Sequence, residues 1–196
     1  IHHLLAIKFT EILESEMTDK AYACRKGKGT DYGIADVKTQ IKRVSENYTK
    51  EAWILRGDLQ GFFMSINRLL LYSLLEKVIR EKYHESDIEW WLWLWRRVVL
   101  HDPTKSCVRV GDLSLWDKLP ANKSLFTCGE GKGLPIGNLP SQLLANLLLS
   151  QFDKLVIERV GKDGGYGRYV DDFVVISRDK KLLLNILQES RDYLRL

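Results

Sequence analysis

The segment Arg168-Tyr-Val-Asp-Asp-Phe-Val-Val-Ile-Ser177 constrains this chain most. Two β-prone halves flank a turn signal, so the segment reads as a hairpin with two acids at its tip. Carboxylates set against apolar strands cost desolvation free energy unless something positive compensates. The same holds for Asp58, which follows Trp53-Ile-Leu55, a stretch that reads as a short buried strand. Asp-Asp alone is also ordinary turn composition. Tyr169 and Val170 before the pair, and the apolar run after it, favour a strand tip over a solvated loop. A divalent cation is the economical partner, because Mg²⁺ takes oxygen ligands, typically one or two carboxylates plus substrate phosphates. Two such ions about 3.5–4 Å apart can activate a hydroxyl and stabilise a leaving pyrophosphate.

The remaining pattern mixes helix and strand. Residues 2–17 read as a helix with Leu4, Leu5, Phe9, Ile12 and Leu13 on one stripe. After a basic loop, Thr30 or Asp31 caps a helix carrying Ile34, Val37, Ile41 and Val44. A helix over about 66–83 places Ile66, Leu70, Leu74 and Val78 on its apolar face, and 87–100 form a Trp-rich helix. Residues 107–128 read as short strands and loops. Pro140 suits the first turn of a helix bearing Leu143, Leu144, Leu147 and Leu148, and a last helix begins near Lys180. This order predicts an α+β fold with an antiparallel sheet. Eight of the 14 glycines lie within 129–137 and 161–167, marking turns beside a site.

Composition excludes several classes. The 196 residues are 45% hydrophobic and 29% charged, which rules out bulk disorder and suits one domain or two lobes sharing a core. No apolar run reaches the roughly 18 residues of a membrane span. Cys24, Cys107 and Cys128 give neither a disulfide framework nor a zinc spacing, so a reducing compartment is expected. The net charge of +4 permits a nucleic-acid partner without requiring one. No secretory signal is visible, and the chain, opening on Ile1 and closing on Leu196, reads as a fragment.

Four segments together carry a family resemblance. Gly167-Arg-Tyr-Val-Asp-Asp-Phe173 resembles the YxDD motif of reverse transcriptases, and Leu55-Arg-Gly-Asp58-Leu-Gln-Gly-Phe62-Phe63 resembles that family's first aspartate motif. Gly133-Leu-Pro-Ile-Gly-Asn-Leu-Pro-Ser-Gln142 and the helix after it, through Phe152-Asp153, are similar to the template- and nucleotide-facing motif. Tyr22-Ala-Cys-Arg-Lys-Gly-Lys-Gly-Thr30 resembles the fingers motif of group II intron enzymes. Where most of the family has Gln-Gly-x-x-x-Ser-Pro, this chain has Ile136-Gly137 followed by Ser141-Gln142. That variant resembles the reverse transcriptases of diversity-generating retroelements, which copy a template RNA into cDNA with errors at adenines and work with an accessory protein.

The resemblance implies a right-hand polymerase. Its antiparallel palm sheet, ferredoxin-like or RRM-like, would be backed by helices. Residues 1–50 would be the first part of the fingers, 51–85 the first part of the palm, 86–132 a fingers or insert region and 133–196 the second part of the palm, with no thumb in this chain. Asp58, Asp171 and Asp172 would form the acidic cluster, holding two Mg²⁺ (or Mn²⁺) with the Leu59 carbonyl. Phe63 would exclude a ribose 2′-hydroxyl, with either Phe62 or Phe63 also serving as core. Arg25, Lys26 and Lys28 would contact triphosphate or template phosphates, although such a run is also an ordinary solvated basic loop. Tyr169, Ile136, Gly137 and Gln142 would line the substrate side, Gln142 in a role the residues do not specify. Ile136 offers only apolar contact where a Gln can hydrogen-bond, so looser nucleotide positioning is expected. Trp90, Trp91, Trp93 and Trp95 are expected to be packing residues for at least half of the set, with base stacking as the alternative. The implied partners are template RNA, a primer or cDNA strand, deoxynucleoside triphosphates and an accessory retroelement protein, in the cytoplasm of a bacterium or its phage, with no membrane. The rival readings are a group II intron or abortive-infection enzyme, and a non-catalytic RNA-binding module on the same scaffold.

Overall fold

A computed structural model describes residues 1–116 and 118–194. Its helices and strands run α1 (His2–Glu14), α2 (Thr30–Val44), β1 (Trp53–Asp58), α3 (Phe62–Ser65), α4 (Arg68–Lys82), α5 (Ile88–Val99), α6 (Leu113–Trp116), α7 (Leu139–Val160), β2 (Gly165–Tyr169), β3 (Asp172–Ser177) and α8 (Lys180–Leu194). The chain divides into two compact units, each discontinuous in sequence: residues 1–15 with 60–148, and residues 16–59 with 149–196.

The first unit is helical among its described residues. α1 buries Leu5, Ala6, Phe9 and Leu13, while Leu4 faces solvent. The Phe9 ring lies 5.3 Å from Tyr83, 5.5 Å from Trp91 and 6.0 Å from Trp95, an aromatic cluster joining α1 to α4 and α5. Of the four tryptophans, Trp91 and Trp95 are core, while Trp90 and Trp93 are 51% and 53% exposed. The expected face of α4 is displaced. Leu71, Tyr72, Leu75, Val78 and Ile79 are buried and Leu70 is exposed. Leu69-Leu-Leu71 is apolar all round, so periodicity does not choose the inward residue; packing does. Asn67 caps this helix by accepting from the Leu69 and Leu70 amides. Among the described residues of 107–128 there is no strand; α6 and one 3₁₀ turn, Ala121–Lys123, are found instead.

The second unit carries a three-stranded antiparallel sheet in the order β1-β3-β2. Opposite residues share a face. One face holds Asp58, Asp172 and Tyr169 in a row, with Arg56, Val174 and Gly167 in the next but one. The other face holds the rows Gly57–Phe173–Arg168 and Leu55–Val175–Tyr166. Phe152 of α7 packs edge-on to Phe173, with ring centroids 5.4 Å apart, and α8 packs against β1 and β3. Gly57 leaves room for the Phe173 ring, which a Cβ there would strike.

Contrary to the sequence expectation, Trp53-Ile-Leu55 is not buried: Ile54 is 52% exposed. β1 is an edge strand, and among the described residues nothing pairs with its outer side. The opposite edge is closed. The Gln40 amide donates to the Tyr166 carbonyl at 2.9 Å, and its oxygen accepts from the Tyr166 amide at 2.8 Å. Ala21 bridges to Arg168. Gly167 allows this, since a Cβ there would come within 2.6 Å of the Tyr22 hydroxyl. α2 itself begins on Gly29, at φ 125°, with no side-chain cap from Thr30 or Asp31; Gly33 and Gln40 turn inward and Ile34 outward.

Candidate active site

The hairpin forms as its sequence pattern predicts. β2 and β3 pair through Tyr169 and Asp172, leaving Val170 and Asp171 as a two-residue turn. Val170 has φ +58°, whereas Asp171 has none of the positive φ values recorded for non-glycine residues. Positive φ at the first turn residue alone is the sign pattern of a type II′ hairpin turn. A β-branched residue there is a genuine outlier, and such outliers cluster at functional sites.

Asp58 closes β1 directly opposite Asp172, so register alone sets these two acids side by side. The Leu59 amide donates to the Asp171 carbonyl at 3.2 Å, tying the end of β1 to the turn. Asp171 is partly buried. That burial, with the Asp58 and Asp172 charges beside it, pushes its carboxyl above the usual carboxylate range. Asp172 meets Arg56 Nη2 at 3.4 Å across the strands, an exposed pair. The structure thus brings together Asp58, Leu59, Tyr169, Asp171 and Asp172, residues that are up to 114 positions apart in sequence (172 − 58). A groove of about 620 Å³ opens beside them, walled by Ile34 and Val37 of α2, Arg56, Tyr169 and Val174.

Among the described residues no group of three or more His, Cys, Asp or Glu side chains converges to hold a metal ion by itself. The acids do fit a partial site completed by substrate oxygens. A carboxyl whose ionisation is opposed by burial and by two neighbouring acids is one that a cation would favour.

The basic loop is largely engaged with itself. Arg25 Nη1 donates to the Thr18 and Ala21 carbonyls at 2.6 and 3.1 Å. Lys28 Nζ donates to Asp19 and lies 5.5 Å from the Tyr32 ring centre. Lys26 is exposed. Phe63, Ile136, Gly137 and Gln142 belong to the first unit. There Phe62 is core and Phe63 half-buried, their rings 5.4 Å apart. The Phe63 carbonyl accepts from the Leu134 amide at 2.9 Å. Ile136 is exposed, Gly137 has φ +86°, and Gln142 lies in the first turn of α7, where Pro140 also sits.

One network escaped the sequence reading. Arg168 donates from Nε and Nη2 to the two carboxylate oxygens of Asp153 at 2.7 and 2.8 Å, and both side chains are 0% exposed. The Tyr166 hydroxyl donates to Asp153 Oδ1 at 2.6 Å. Burial and the Asp153 charge push that phenol well above its ordinary range, keeping it a donor. Arg168 Nη1 continues to the Val170 carbonyl at 2.7 Å. The local sequence offered no direct signal: Asp153 precedes Lys154 and Arg168 precedes the Asp171-Asp172 pair, so each has an opposite charge nearby in sequence that is not its partner in the fold.

Comparison with known proteins gives the family. Residues 3–196 match the family described as reverse transcriptase (RNA-dependent DNA polymerase). Protein YkfC of Escherichia coli (strain K12) is 23% identical over 219 aligned residues, which cover 96% of this chain and 50% of that protein. The chain therefore spans about half the length of the curated relative it matches. With a family match over nearly its whole length, the chain belongs to the reverse transcriptase family.

Proposed function

We propose that the hairpin tip is the catalytic centre of an RNA-directed DNA polymerase, with the two units serving as parts of its fingers and palm. The observation that carries this reading is the acidic row of Asp58 and Asp172, with the electrostatically opposed Asp171 in a strained turn beside it. Asp58, Asp171, Asp172 and the Leu59 carbonyl would hold Mg²⁺ or Mn²⁺ ions. Bound there, two ions would supply the positive charge that activates a primer 3′-hydroxyl and neutralises leaving pyrophosphate. The chain's own residues do the positioning, which is most of the catalysis in phosphoryl and nucleotidyl transfer. The strand register sets Asp58 opposite Asp172, and Tyr169 shares their face. Lys26 is the basic-loop cation presented to solvent, with Arg25 and Lys28 holding the loop in shape. Phe63 would select deoxyribose, and Ile136, Gly137 and Gln142 would face the templating pair.

The Ile136-Gly137…Ser141-Gln142 pattern supports the diversity-generating retroelement type, with template RNA, deoxynucleoside triphosphates and an accessory protein as partners. Among the described residues no helix is long and apolar enough to cross a membrane. The test is primer extension on an RNA template with Mg²⁺, using the full-length protein. Wild type should extend the primer and Asp171→Asn should not; equal behaviour would reject the polymerase in favour of a binding module. Ile136→Gln, followed by cDNA sequencing, should lower misincorporation at template adenines. An unchanged error spectrum would remove Ile136 from the account of fidelity.

A further inference from the structure

We propose that Arg168 is a positioning residue for Asp171, and that Asp153 and Tyr166 fix Arg168 for that task. The inference rests on the polymerase reading of Asp171. Arg168 is held from every side. Its amide donates to the Lys20 carbonyl at 2.8 Å and its carbonyl accepts from the Tyr22 amide at 2.9 Å. Its guanidinium grips both oxygens of Asp153, which Tyr166 braces in turn. A fully buried ion pair is a poor device for stability alone, because an apolar pair of similar volume often does as well or better. What an apolar pair cannot supply is the donor that Arg168 extends to the Val170 carbonyl.

That carbonyl belongs to the residue with φ +58°, and the next one, of Asp171, accepts from Leu59. Two successive turn carbonyls are therefore held by fixed donors, and the Asp171 side chain springs from the Cα between them. Without the Arg168 contact, the branched Val170 would relax toward negative φ and carry Asp171 away from Asp58 and Asp172. Lysine cannot replace this function, since one ammonium does not span a carboxylate fork and a carbonyl on its far side.

The experiment compares wild type, Arg168→Lys, Tyr166→Phe and Asp171→Asn in the full-length protein. It measures thermal melting, primer-extension kcat and nucleotide KM, and Mn²⁺ affinity by electron paramagnetic resonance without nucleic acid or nucleotide. A folded Arg168→Lys should lose on the order of 10²-fold in kcat, as expected for a misplacement of about 1 Å. Its nucleotide KM should stay within about threefold and its Mn²⁺ affinity should fall. Wild-type kcat and Mn²⁺ affinity in folded Arg168→Lys would overturn the proposal, as would losses that merely track the unfolded fraction. If Arg168→Lys does not fold, Tyr166→Phe decides: a smaller drop in kcat and Mn²⁺ affinity at constant KM supports positioning, and wild-type values overturn it. An inactive Asp171→Asn beside a normal Arg168→Lys removes only this proposal. An active Asp171→Asn removes the polymerase reading and this proposal together.

Discussion

Two arginine–aspartate pairs flank the same hairpin and differ in almost every physical respect. Arg168–Asp153 lies under the sheet at 2.7 Å, with both side chains fully buried and a tyrosine completing the carboxylate's shell. Arg56–Asp172 lies on the open face at 3.4 Å, with the side chains 79% and 51% exposed. Water and salt screen the second pair, and neither side chain loses much by letting go. The first cannot open without stranding two charges in the interior. The comparison separates two tasks that one motif carries. On the proposed function, the buried pair would set geometry, and the exposed pair would leave Asp172 able to exchange an arginine for another cation.

The largest break in that comparison comes from removing one buried partner. Arg168→Met should destabilise the protein by about 3–5 kcal/mol in urea unfolding, because Asp153 is left charged and unpaired. Adding Asp153→Leu should recover most of that loss, and failure to recover would show that the rest of the network, not the stranded charge, sets the cost. Next is Tyr166→Phe, which removes one hydrogen bond to a buried carboxylate and should cost about 1.5–3 kcal/mol by the same measurement. Gly167→Ala should cost about 1–3 kcal/mol through overpacking against Tyr22, without touching either ion pair. Smallest is Arg56→Ala, expected within about 1 kcal/mol and fading as salt rises. A large, salt-insensitive loss there would erase the distinction between the pairs. Asp171→Asn removes a carboxyl that its surroundings push toward the neutral form, so it should raise the melting temperature and, on the proposed function, end primer extension.

The hairpin was legible in the sequence because β-prone halves around an acid pair admit few other folds. The order of the six long helices among the described residues was legible for the same reason of strong local pattern, whereas the four-residue α3 and α6 were not. The inward face of α4 was not, since Leu69 to Leu71 offer three equally apolar candidates and only the partner helices discriminate among them. Cys107-Val-Arg-Val-Gly111 alternates as a strand does, yet Val108 and Val110 are 88% and 81% exposed and no strand forms there. Alternation does not supply a neighbour for backbone hydrogen bonds. In the site, the acids could be named from sequence, but their meeting depends on a register between strands more than a hundred residues apart. The Arg168–Asp153 link is tertiary in the same way: nothing local pairs a residue of α7 with one of β2.

The outer side of β1, unpaired among the described residues, has a colloidal consequence. A row of free backbone donors and acceptors beside exposed Trp53 and Ile54 is a template on which a strand from another molecule can add. Before Asp58, Arg56 is the only charge on that strand. With Lys180 Nζ 4.3 Å over the Trp53 ring and Asp58 at the strand's end, it is a charge of the gatekeeper kind, one that discourages edge-to-edge addition.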